Sequence, residues 1–347
     1  MTLKRMGMTV LTTATLLLTG CAATQAEKVA PEVEEETFKI SMVTDQNGID
    51  DRSFNQSAWE GMQDWAASHD FGEESINYYQ SGQEYNYIPN LNTAIQDEAN
   101  IIYAIGYSLE EALAEIATQN PDQKFGFVDG VIDQDNVVSI TFADNESSYL
   151  AGVIAALTSD TGRIGFVGGM KVPSILKFQA GYEAGAKSVN PDIVVDVQFA
   201  ESYSDAGIAQ QIASAMYANA VDVIFHAAGN AGNGVNTEAR NQLESGAKED
   251  IWVIGADRDQ SAEGEWDGGN FMLTSTLKEL GRAIENESNA VLEGNFNGGS
   301  HIVSNIESGG VGVVEDHLPA DVKAIVEQAK EDIISGAIEV PEVPENE

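Results

Sequence analysis

Short apolar segments alternate with amphipathic helical patterns along most of the chain, and this alternation constrains the fold more than any other feature. Strands that are apolar on both faces are typical of a parallel sheet covered by helices on both sides. The predicted strands cover residues 38–44, 76–79, 101–105, 124–128, 137–142, 163–167, 193–199, 221–225, 251–255 and 271–275. Ten strands exceed what one such sheet comfortably holds, so the sequence predicts an α/β protein with two domains.

Length and charge narrow the class of protein further. At 347 residues the chain is long enough for two domains, each with its own core. Its 56 Asp and Glu residues against 17 Lys and Arg residues give a formal net charge of −39. A field of that sign repels phosphate groups, so no nucleic-acid partner is expected. One cysteine and four scattered histidines exclude a disulfide framework and a cysteine-rich zinc site.

The start of the chain is typical of an export signal. Two basic residues precede an apolar stretch over residues 8–19, which is too short to span a bilayer. The stretch ends in Leu18-Thr19-Gly20-Cys21, which resembles the lipobox of bacterial lipoproteins. The sequence therefore predicts a signal peptide over 1–20, lipidation of Cys21 and a flexible tether over 21–37. The alternative is an ordinary signal peptide with an incidental cysteine.

Four predicted strands are followed at their carboxyl ends by a polar residue or a glycine, namely Asp45, Asp129, Gly229 and Asp257. Ligands of open parallel sheets bind beside these ends. One such aspartate would be an ordinary helix cap or turn former. Three aspartates at equivalent strand ends favour a shared ligand site.

One segment carries a family resemblance. The run Asp45-Gln-Asn-Gly-Ile-Asp-Asp-Arg-Ser-Phe-Asn-Gln-Ser-Ala-Trp-Glu-Gly61 resembles the signature of the basic membrane protein (BMP) family of lipoproteins, the purine nucleoside receptor type of ABC-transporter substrate-binding protein. Further matches, in order between residues 38 and 315, include Gly126-Phe-Val-Asp129, Tyr149-Leu-Ala-Gly152, Gly165-Phe-Val-Gly-Gly169, Phe178-Gln-Ala-Gly-Tyr-Glu-Ala-Gly185, Ile224-Phe-His-Ala-Ala-Gly229, Ile254-Gly-Ala-Asp-Arg-Asp-Gln260 and Leu273-Thr-Ser-Thr-Leu-Lys278. Each match alone is weak, but the ordered set is specific.

The resemblance implies a type I periplasmic-binding-protein fold, in which two Rossmann-like lobes with parallel sheets are joined by crossover hinge strands. On this basis we expect the N-terminal lobe to hold residues 38–143 and 258–292. The C-terminal lobe is expected to hold residues 144–257 and 293–339, followed by a loose tail over 340–347.

The resemblance also implies that two aromatic rings hold a purine nucleoside between the lobes. Phe54, in Ser-Phe-Asn, matches one ring. The other is usually a phenylalanine in a Ser-Phe-x-Asp motif, and Ser202-Tyr203-Ser204-Asp205 places Tyr203 there. Stacking on an aromatic ring is worth about 1–3 kcal/mol per base. Packing in the core is the alternative role for each ring.

Polar groups are needed at the base edge and the sugar. The resemblance implies that Asp129 and Asn55 face the base, with Asp45 close by on the first strand end. It also implies that Asp257 and Lys278 hold the ribose hydroxyls, with Gly229 allowing close backbone approach. A buried carboxylate beside a lysine is costly unless the two are paired, so Asp257 and Lys278 are expected to neutralise each other. A solvated helix position is the alternative for the lysine.

Two enzymatic interpretations are weaker. Gly229-x-x-Gly232-x-Gly234 follows a strand, but its spacing is not that of a phosphate-binding loop, and backbone geometry explains it. For a hydrolase, the sequence offers no G-x-S-x-G elbow. Among the histidines, only His226 falls near the predicted site. A nucleoside hydrolase would also need a calcium cluster, for which Asp45, Asp50 and Asp51 are the candidates.

The sequence thus predicts a substrate-binding lipoprotein of an ABC importer, anchored to the cell membrane and facing the periplasm or the cell exterior. We expect a monomer without enzymatic activity, cofactor or metal, whose partners are an ABC permease and a purine nucleoside such as inosine, adenosine or guanosine. The alternatives are a sugar or autoinducer ligand on the same fold and a sensory lipoprotein without a transporter. The Ser-Phe-Asn and Thr-Ser-x-x-Lys matches favour the nucleoside.

Overall fold

The structure is a computed structural model that describes residues 38–345; the predicted signal peptide, Cys21 and the tether over 21–37 lie outside the described residues. Its strands are β1 (Ile40–Val43), β2 (Ile76–Tyr79), β3 (Ile101–Ile105), β4 (Lys124–Val128), β5 (Val137–Phe142), β6 (Arg163–Gly168), β7 (Val194–Phe199), β8 (Val223–Ala227), β9 (Trp252–Gly255), β10 (Glu265–Trp266), β11 (Gly269–Asn270), β12 (Met272–Lys278), β13 (His301–Ser304) and β14 (Val311–Val313).

Helices alternate with these strands. They are α1 (Phe54–Ser68), α2 (Tyr87–Gln96), α3 (Glu110–Gln119), α4 (Asp144–Thr158), α5 (Pro173–Val189), α6 (Ala206–Ala218), α7 (Asn233–Glu244), α8 (Leu280–Leu292) and α9 (Ala320–Ile334). Within residues 38–345, none of these helices is long and apolar enough to cross a membrane.

The strands form two six-stranded sheets and one short ribbon. The first sheet has the order β13-β5-β4-β3-β1-β2, and its paired strands are parallel. The second has the order β14-β12-β9-β8-β6-β7 and is parallel except for β14. All ten predicted strands are present, and β2, β3, β4 and β5 have the predicted bounds. The α/β architecture with two parallel sheets is therefore confirmed.

Local sequence explains where several elements begin. At the start of α6, the side chain of Asp205 accepts hydrogen bonds from the backbone N–H groups of Gly207 and Ile208, which satisfies two donors that a helix start leaves unpaired. Pro173 begins α5, where its fixed φ suits the first turn and its missing N–H costs nothing. Strand β3 is buried at all five positions, as its apolar sequence on both faces predicts.

The chain crosses between the two lobes three times, and the crossovers correct the predicted lobe boundaries. The first follows β5, where α4 begins the C-terminal lobe; the second follows β12, and the third follows β13. Strand β12 lies within the range 258–292 expected in the N-terminal lobe, but it pairs with β9 of the C-terminal sheet. Strand β13 lies within 293–339 but pairs with β5 of the N-terminal sheet. Both strands satisfy their backbone hydrogen bonds on the sheet opposite to the one expected.

Helix α8 returns to the N-terminal lobe and packs on α1. Gly61 and Gly281 meet at this contact, and a Cβ atom on Gly281 would lie 2.8 Å from the Cα atom of Gly61. The indole N–H of Trp65 donates to Oδ1 of Asn289 at 2.8 Å. The hydroxyl of Tyr103 on β3 donates to a backbone carbonyl of the same helix. These contacts hold α8 against the N-terminal lobe, although the preceding strand, β12, belongs to the C-terminal sheet.

The C-terminal segment is held against the C-terminal lobe, whereas the sequence predicts a loose tail over 340–347. Val340 is buried, and its carbonyl accepts a hydrogen bond from Nδ2 of Asn145 at 3.0 Å. Glu342 forms an ion pair with Lys177 at 3.1 Å. Glu345 forms a further ion pair with Lys187 at 3.3 Å. The segment is thus held at three points up to residue 345; residues 346–347 lie outside the described part.

Helices α4 and α5 pack unusually closely because glycines face the opposite backbone. A Cβ atom on Gly185 would lie under 3.0 Å from the backbone of Tyr149, and one on Gly181 would lie equally close to the backbone of Asn145. Backbone atoms cannot swing away as a flexible side chain can. The family-like runs that contain these glycines therefore have a packing role.

We predict that Gly185→Ala lowers the free energy of unfolding by about 2 kcal/mol, within the usual cost of overpacking. Without the clash, alanine in a helix interior would instead stabilise the protein by roughly 1 kcal/mol. Urea unfolding followed by circular dichroism measures the difference. The control is Gly312→Ala, since a Cβ atom there meets nothing within 4 Å. A Gly185→Ala protein as stable as the unchanged protein would contradict the close packing.

Candidate functional site

The carboxyl ends of strands from both sheets face a cavity between the lobes. The empty space around it is about 560 Å³, a figure that includes the part open to solvent. The lining comprises Asp45, Asn47, Asp51, Phe54, Gly106, Tyr107, Ser108, Asp129, Ser174, Ile175, Phe178, Tyr203, Ala227, Gly229, Asp257 and Lys278. Seven of the eight residues predicted from the sequence are among them; the eighth, Asn55, lies behind the lining.

Two of the strand-end aspartates have unusual backbone conformations. Asp129 and Asp257 have φ angles of 65° and 72°, in the left-handed region. Non-glycine residues adopt this region infrequently, and such residues cluster at functional sites. Hydrogen bonds fix both turns: the N–H of Asp129 donates to the carbonyl of Ile140 at 3.0 Å, and the N–H of Lys278 donates to the carbonyl of Asp257 at 2.9 Å. The backbone thus sets the position of both carboxylates.

Lys278 lies at the end of β12 and forms ion pairs with two aspartates. Its Nζ atom is 2.9 Å from Oδ2 of Asp129 and 3.3 Å from Oδ2 of Asp144, the first residue of α4. The sequence predicts Asp257 as its neutralising partner, and that pairing is wrong as a direct contact. Oδ2 of Asp257 instead accepts a hydrogen bond from the hydroxyl of Ser53. Asp144, the first residue of α4 after the first crossover, supplies the second carboxylate in its place.

Aromatic rings complete the surroundings of this ammonium group. Its Nζ atom is 5.1 Å from the ring centroids of Phe54 and Phe142 and 5.5 Å from that of Phe178. A cation over an aromatic face is attracted by the negative charge density of the ring. Lys278 is 5% exposed, so its position is fixed by packing as well as by charge.

Burial and neighbouring charges shift the pKa values in this cluster. Burial lowers the pKa of Lys278, but the adjacent carboxylates of Asp129, Asp144 and Asp257 outweigh that effect, so its pKa is raised overall. Burial raises the pKa of Asp144, and the nearby lysine only partly offsets it. Burial likewise raises the pKa of Asp257. The cluster therefore holds a lysine that stays protonated, and burial disfavours the charged forms of Asp144 and Asp257 beside it.

Asp45 is the second acidic centre of the cavity. Its Oδ1 atom accepts hydrogen bonds from the backbone N–H of Asn47 at 2.8 Å and from Nδ2 of Asn55 at 2.9 Å. Burial is the main cause that raises the pKa of Asp45 to about 6. Asn55 is fully buried and also donates to Asp51 at 3.0 Å. The structure therefore places Asn55 where it orients two cavity carboxylates, rather than on the cavity wall.

The predicted rings lie on different lobes. Phe54 begins α1 of the N-terminal lobe, and Tyr203 follows β7 of the C-terminal lobe. Tyr203 packs edge-on against Tyr107, with ring centroids 6.3 Å apart and planes at 63°. Its ring also covers Gly169, where a Cβ atom would lie under 3.0 Å from it. Both predicted rings line the cavity as well as packing against neighbours.

Sequence reasoning missed several residues of the lining and of its support. Phe178 stood in a matched run without a role, and Asp51 was considered only as a candidate for a calcium cluster. Tyr107 and Ser174 follow β3 and β6 closely enough for a strand-end search to find them. Asp144 gave no comparable signal, because an aspartate at a helix start is ordinarily a cap.

The residues raised for hydrolytic chemistry have other surroundings. Within residues 38–345, no group of three or more His, Cys, Asp or Glu residues is arranged to hold a metal ion. Asp51 instead accepts from the backbone N–H groups of Ser53, Asn55 and Gln56, which caps the start of α1. His226 does not line the cavity, and burial lowers its pKa to about 4, so it is uncharged near neutral pH.

Comparison with known proteins identifies the relatives of the chain. Residues 38–344 match the family model Bmp, described as ABC transporter substrate-binding protein, PnrA-like. The chain is 45% identical over 340 residues to the CD4+ T-cell-stimulating antigen of Listeria monocytogenes, covering 95% of each protein. It is 44% identical over 333 residues to the ABC transporter nucleoside-binding protein BmpA of Lactococcus lactis, covering 94% of this chain and 95% of that protein.

Solved structures share the fold at lower identity. A solute-binding protein of an ABC transporter system from Aeropyrum pernix superposes with a TM-score of 0.78 at 23% identity, covering 88% of this chain and 94% of that one. A sugar-binding protein of a sugar ABC transporter from Bacillus halodurans superposes with a TM-score of 0.61 at 17% identity, covering 81% and 98%. These likenesses concern the fold, and they confirm the predicted type I periplasmic-binding-protein fold.

The shifted pKa of Asp45 predicts a pH dependence of stability. The pKa of Asp45 is about 6 in the folded protein against 3.8 ordinarily. Between about pH 4 and 6, the folded protein therefore keeps a proton that the unfolded chain has already lost. Stability contributed by this group is therefore present below about pH 4 and is lost as the pH rises through 6. Asp45→Asn keeps the acceptor atom without the charge, so the variant should gain up to about 3 kcal/mol over the unchanged protein at pH 8.

Urea unfolding of the ligand-free protein at pH 4, 6 and 8 measures this gain. Asp250→Asn, at an exposed position, controls for the change in net charge. A gain for Asp45→Asn that is the same at all three pH values would show that the folded protein does not hold this carboxyl group in its neutral form.

Proposed function

The chain belongs to the Bmp family of PnrA-like ABC-transporter substrate-binding proteins, and from this premise we propose that it binds purine nucleosides such as inosine, adenosine or guanosine between two closing lobes. The observation that carries the proposal is the composition of the cavity, where aromatic rings from both lobes face a cluster of carboxylates around one lysine. The Lactococcus lactis relative, described as nucleoside-binding, supports the same ligand class.

The base is proposed to lie against the rings of Phe54 and Tyr203. A purine is flat and apolar on its faces, and a ring on each lobe would be brought onto it as the lobes close. Asp45 and Asp129 offer acceptor oxygens for N–H groups on the base edge. The hydroxyl of Tyr203, absent from the phenylalanine usual at this position, adds a polar group that can affect which base fits.

The sugar is proposed to lie against Asp257 and Lys278, with Gly229 allowing close approach. Vicinal hydroxyls donate to carboxylates and accept from an ammonium group, so the two side chains together can hold both hydroxyls. Gly229 has a φ angle of 54°, in the left-handed region that favours glycine.

The charge of the cavity favours a nucleoside over a nucleotide. Four carboxylates line it (Asp45, Asp51, Asp129 and Asp257), and its lysine is already paired with Asp129. A phosphate group entering this site would face uncompensated negative charge. We therefore propose that phosphorylated nucleosides bind much more weakly than the free nucleosides.

The proposed mechanism is closure of the lobes over the ligand, without chemical change to it. A ligand that contacts both lobes stabilises the closed state by its differential affinity for that state, and the closed form is then presented to the permease. Lipidation of Cys21 would keep the protein, as a monomer, at the outer face of the cell membrane. Mass spectrometry of the protein purified from membranes tests the anchor through the added mass on Cys21.

Isothermal titration calorimetry with inosine, adenosine, guanosine, cytidine, inosine monophosphate and ribose tests the ligand class. The protein is first unfolded and refolded, because a tight binder can retain its ligand through purification. Saturable one-to-one binding of a purine nucleoside, with ribose and the monophosphate silent, supports the proposal. Binding of ribose or another sugar alone would move the ligand to the sugar class, and heat that continues with turnover would indicate an enzyme.

We predict that Phe54→Ala and Asp257→Ala each weaken nucleoside binding by about tenfold or more, a loss of roughly 1.4 kcal/mol. The first removes a stacking face, and the second removes an acceptor for the sugar. Phe54→Leu, which keeps apolar bulk without an aromatic face, and Asp259→Ala, at an exposed position two residues along, are the matched controls. Unchanged affinity in both alanine variants, measured by the same calorimetry, would refute the site assignment.

A further inference from the structure

The segment 51–53, which we call the latch loop, is the last part of the connection from β1 to α1. The C-terminal lobe holds it at three points. The carbonyl of Arg52 accepts a hydrogen bond from Nε2 of Gln260 at 2.8 Å. The hydroxyl of Ser53 donates to Asp257. The carbonyl of the first loop residue accepts a hydrogen bond from Nδ2 of Asn233 at 3.3 Å. Three successive residues of one lobe thus contact three side chains of the other.

The backbone of the latch loop is strained at its centre. Arg52 has a φ angle of 60°, a left-handed conformation that is unfavourable for an L-residue with a bulky side chain. The carbonyl of this same residue accepts the hydrogen bond from Gln260. Strained residues persist where the surroundings hold them. The N–H of Arg52 donates to Oε1 of Gln56 on α1 at 3.2 Å, and the group that holds its carbonyl comes from the opposite lobe.

Gln260 is built to make this contact. It is 2% exposed, and its backbone N–H donates to the hydroxyl of Ser275 on β12 at 3.1 Å. Gly255 leaves room for its side chain, since a Cβ atom there would lie under 3.0 Å from Oε1. That Oε1 atom has no hydrogen-bond partner within residues 38–345, so the cross-lobe bond is the polar contact that the side-chain amide makes. Only the donating end of the amide can face a carbonyl.

Gln260 does not line the cavity, but the latch loop that it holds does reach it. Asp51 lines the cavity and caps α1, and Phe54, the first residue of that helix, provides a cavity ring. A bond to the loop centre can therefore affect a bound ligand through the closed arrangement of the lobes without touching the ligand.

We propose that Gln260 is a positioning residue for ligand retention: by holding the latch loop against the C-terminal lobe, it slows opening and hence release of the ligand. The inference rests on the proposed function, since it requires a ligand that is held by closure. Because the bond forms between lobes, it acts on dissociation from the closed state and leaves encounter with the open state unchanged.

The test compares Gln260→Glu and Gln260→Met with the unchanged full-length protein. Glutamate keeps the shape but sets an acceptor against the Arg52 carbonyl, and methionine keeps the length without any polar group. Release of tritiated inosine, adenosine or guanosine, chased with unlabelled nucleoside, gives the dissociation rate. We expect it to rise about tenfold for Glu and about fivefold for Met, with association rates within twofold of the unchanged protein. Gln211→Glu, at an exposed position on α6 of the same lobe, controls for charge.

The outcomes separate the inference from the function on which it rests. If the unchanged protein retains none of the three nucleosides, the proposed function fails and the inference fails with it. If it retains one, and Gln260→Met releases it at the unchanged rate, the latch is overturned while the function stands. The latch is also overturned if the Gln260→Met variant binds the nucleoside more slowly by the same factor as it releases it faster. It is overturned as well if the melting temperature of the ligand-free variant falls, because Gln260 would then stabilise the C-terminal lobe itself.

Discussion

The ion cluster around Lys278 is the interaction on which the rest of the structure depends. A buried ammonium group is tolerated only when carboxylates and hydrogen bonds replace the water it has lost. Here Asp129 comes from the end of an N-terminal strand, and Asp144 from the first turn after a crossover. Removing the lysine would leave several buried carboxylates without a counter-charge. The two sheets are therefore joined at the cavity by charge as well as by the connecting chain.

The parallel sheets explain why these groups meet. Every strand-end aspartate lies at the same edge of its sheet, and the sheets face each other across the cavity, so residues more than 200 positions apart, such as Ser53 and Asp257, come within hydrogen-bonding distance. The same geometry gives the cavity rings from both lobes. A site assembled in this way is complete only when the lobes are together, which suits a substrate-binding protein of two lobes.

The sequence was informative where a pattern is local and ambiguous where it is not. The bounds of strands β2 to β5 were predictable to the residue, because an apolar or aromatic run marks each strand and turn residues mark its ends. The lobes of β12 and β13 were assigned wrongly, because local sequence does not encode which sheet edge a strand joins after a crossover. In the site, strand ends and matched motifs identified seven of the sixteen lining residues. The sequence could not predict that Asp144 pairs with the lysine or that Asn55 lies behind the cavity wall. Each role depends on which side chains surround the residue in three dimensions.

The three crossovers also govern the order in which the molecule can be completed. The edge strand His301–Ser304 belongs to the sheet that begins with Ile40–Val43, so the N-terminal lobe lacks a strand until nearly the whole chain has emerged from the ribosome. Domains ordinarily fold one after another during synthesis. In this chain neither lobe is a continuous stretch of sequence, so both sheets stay incomplete until the strands that follow α8 have been made.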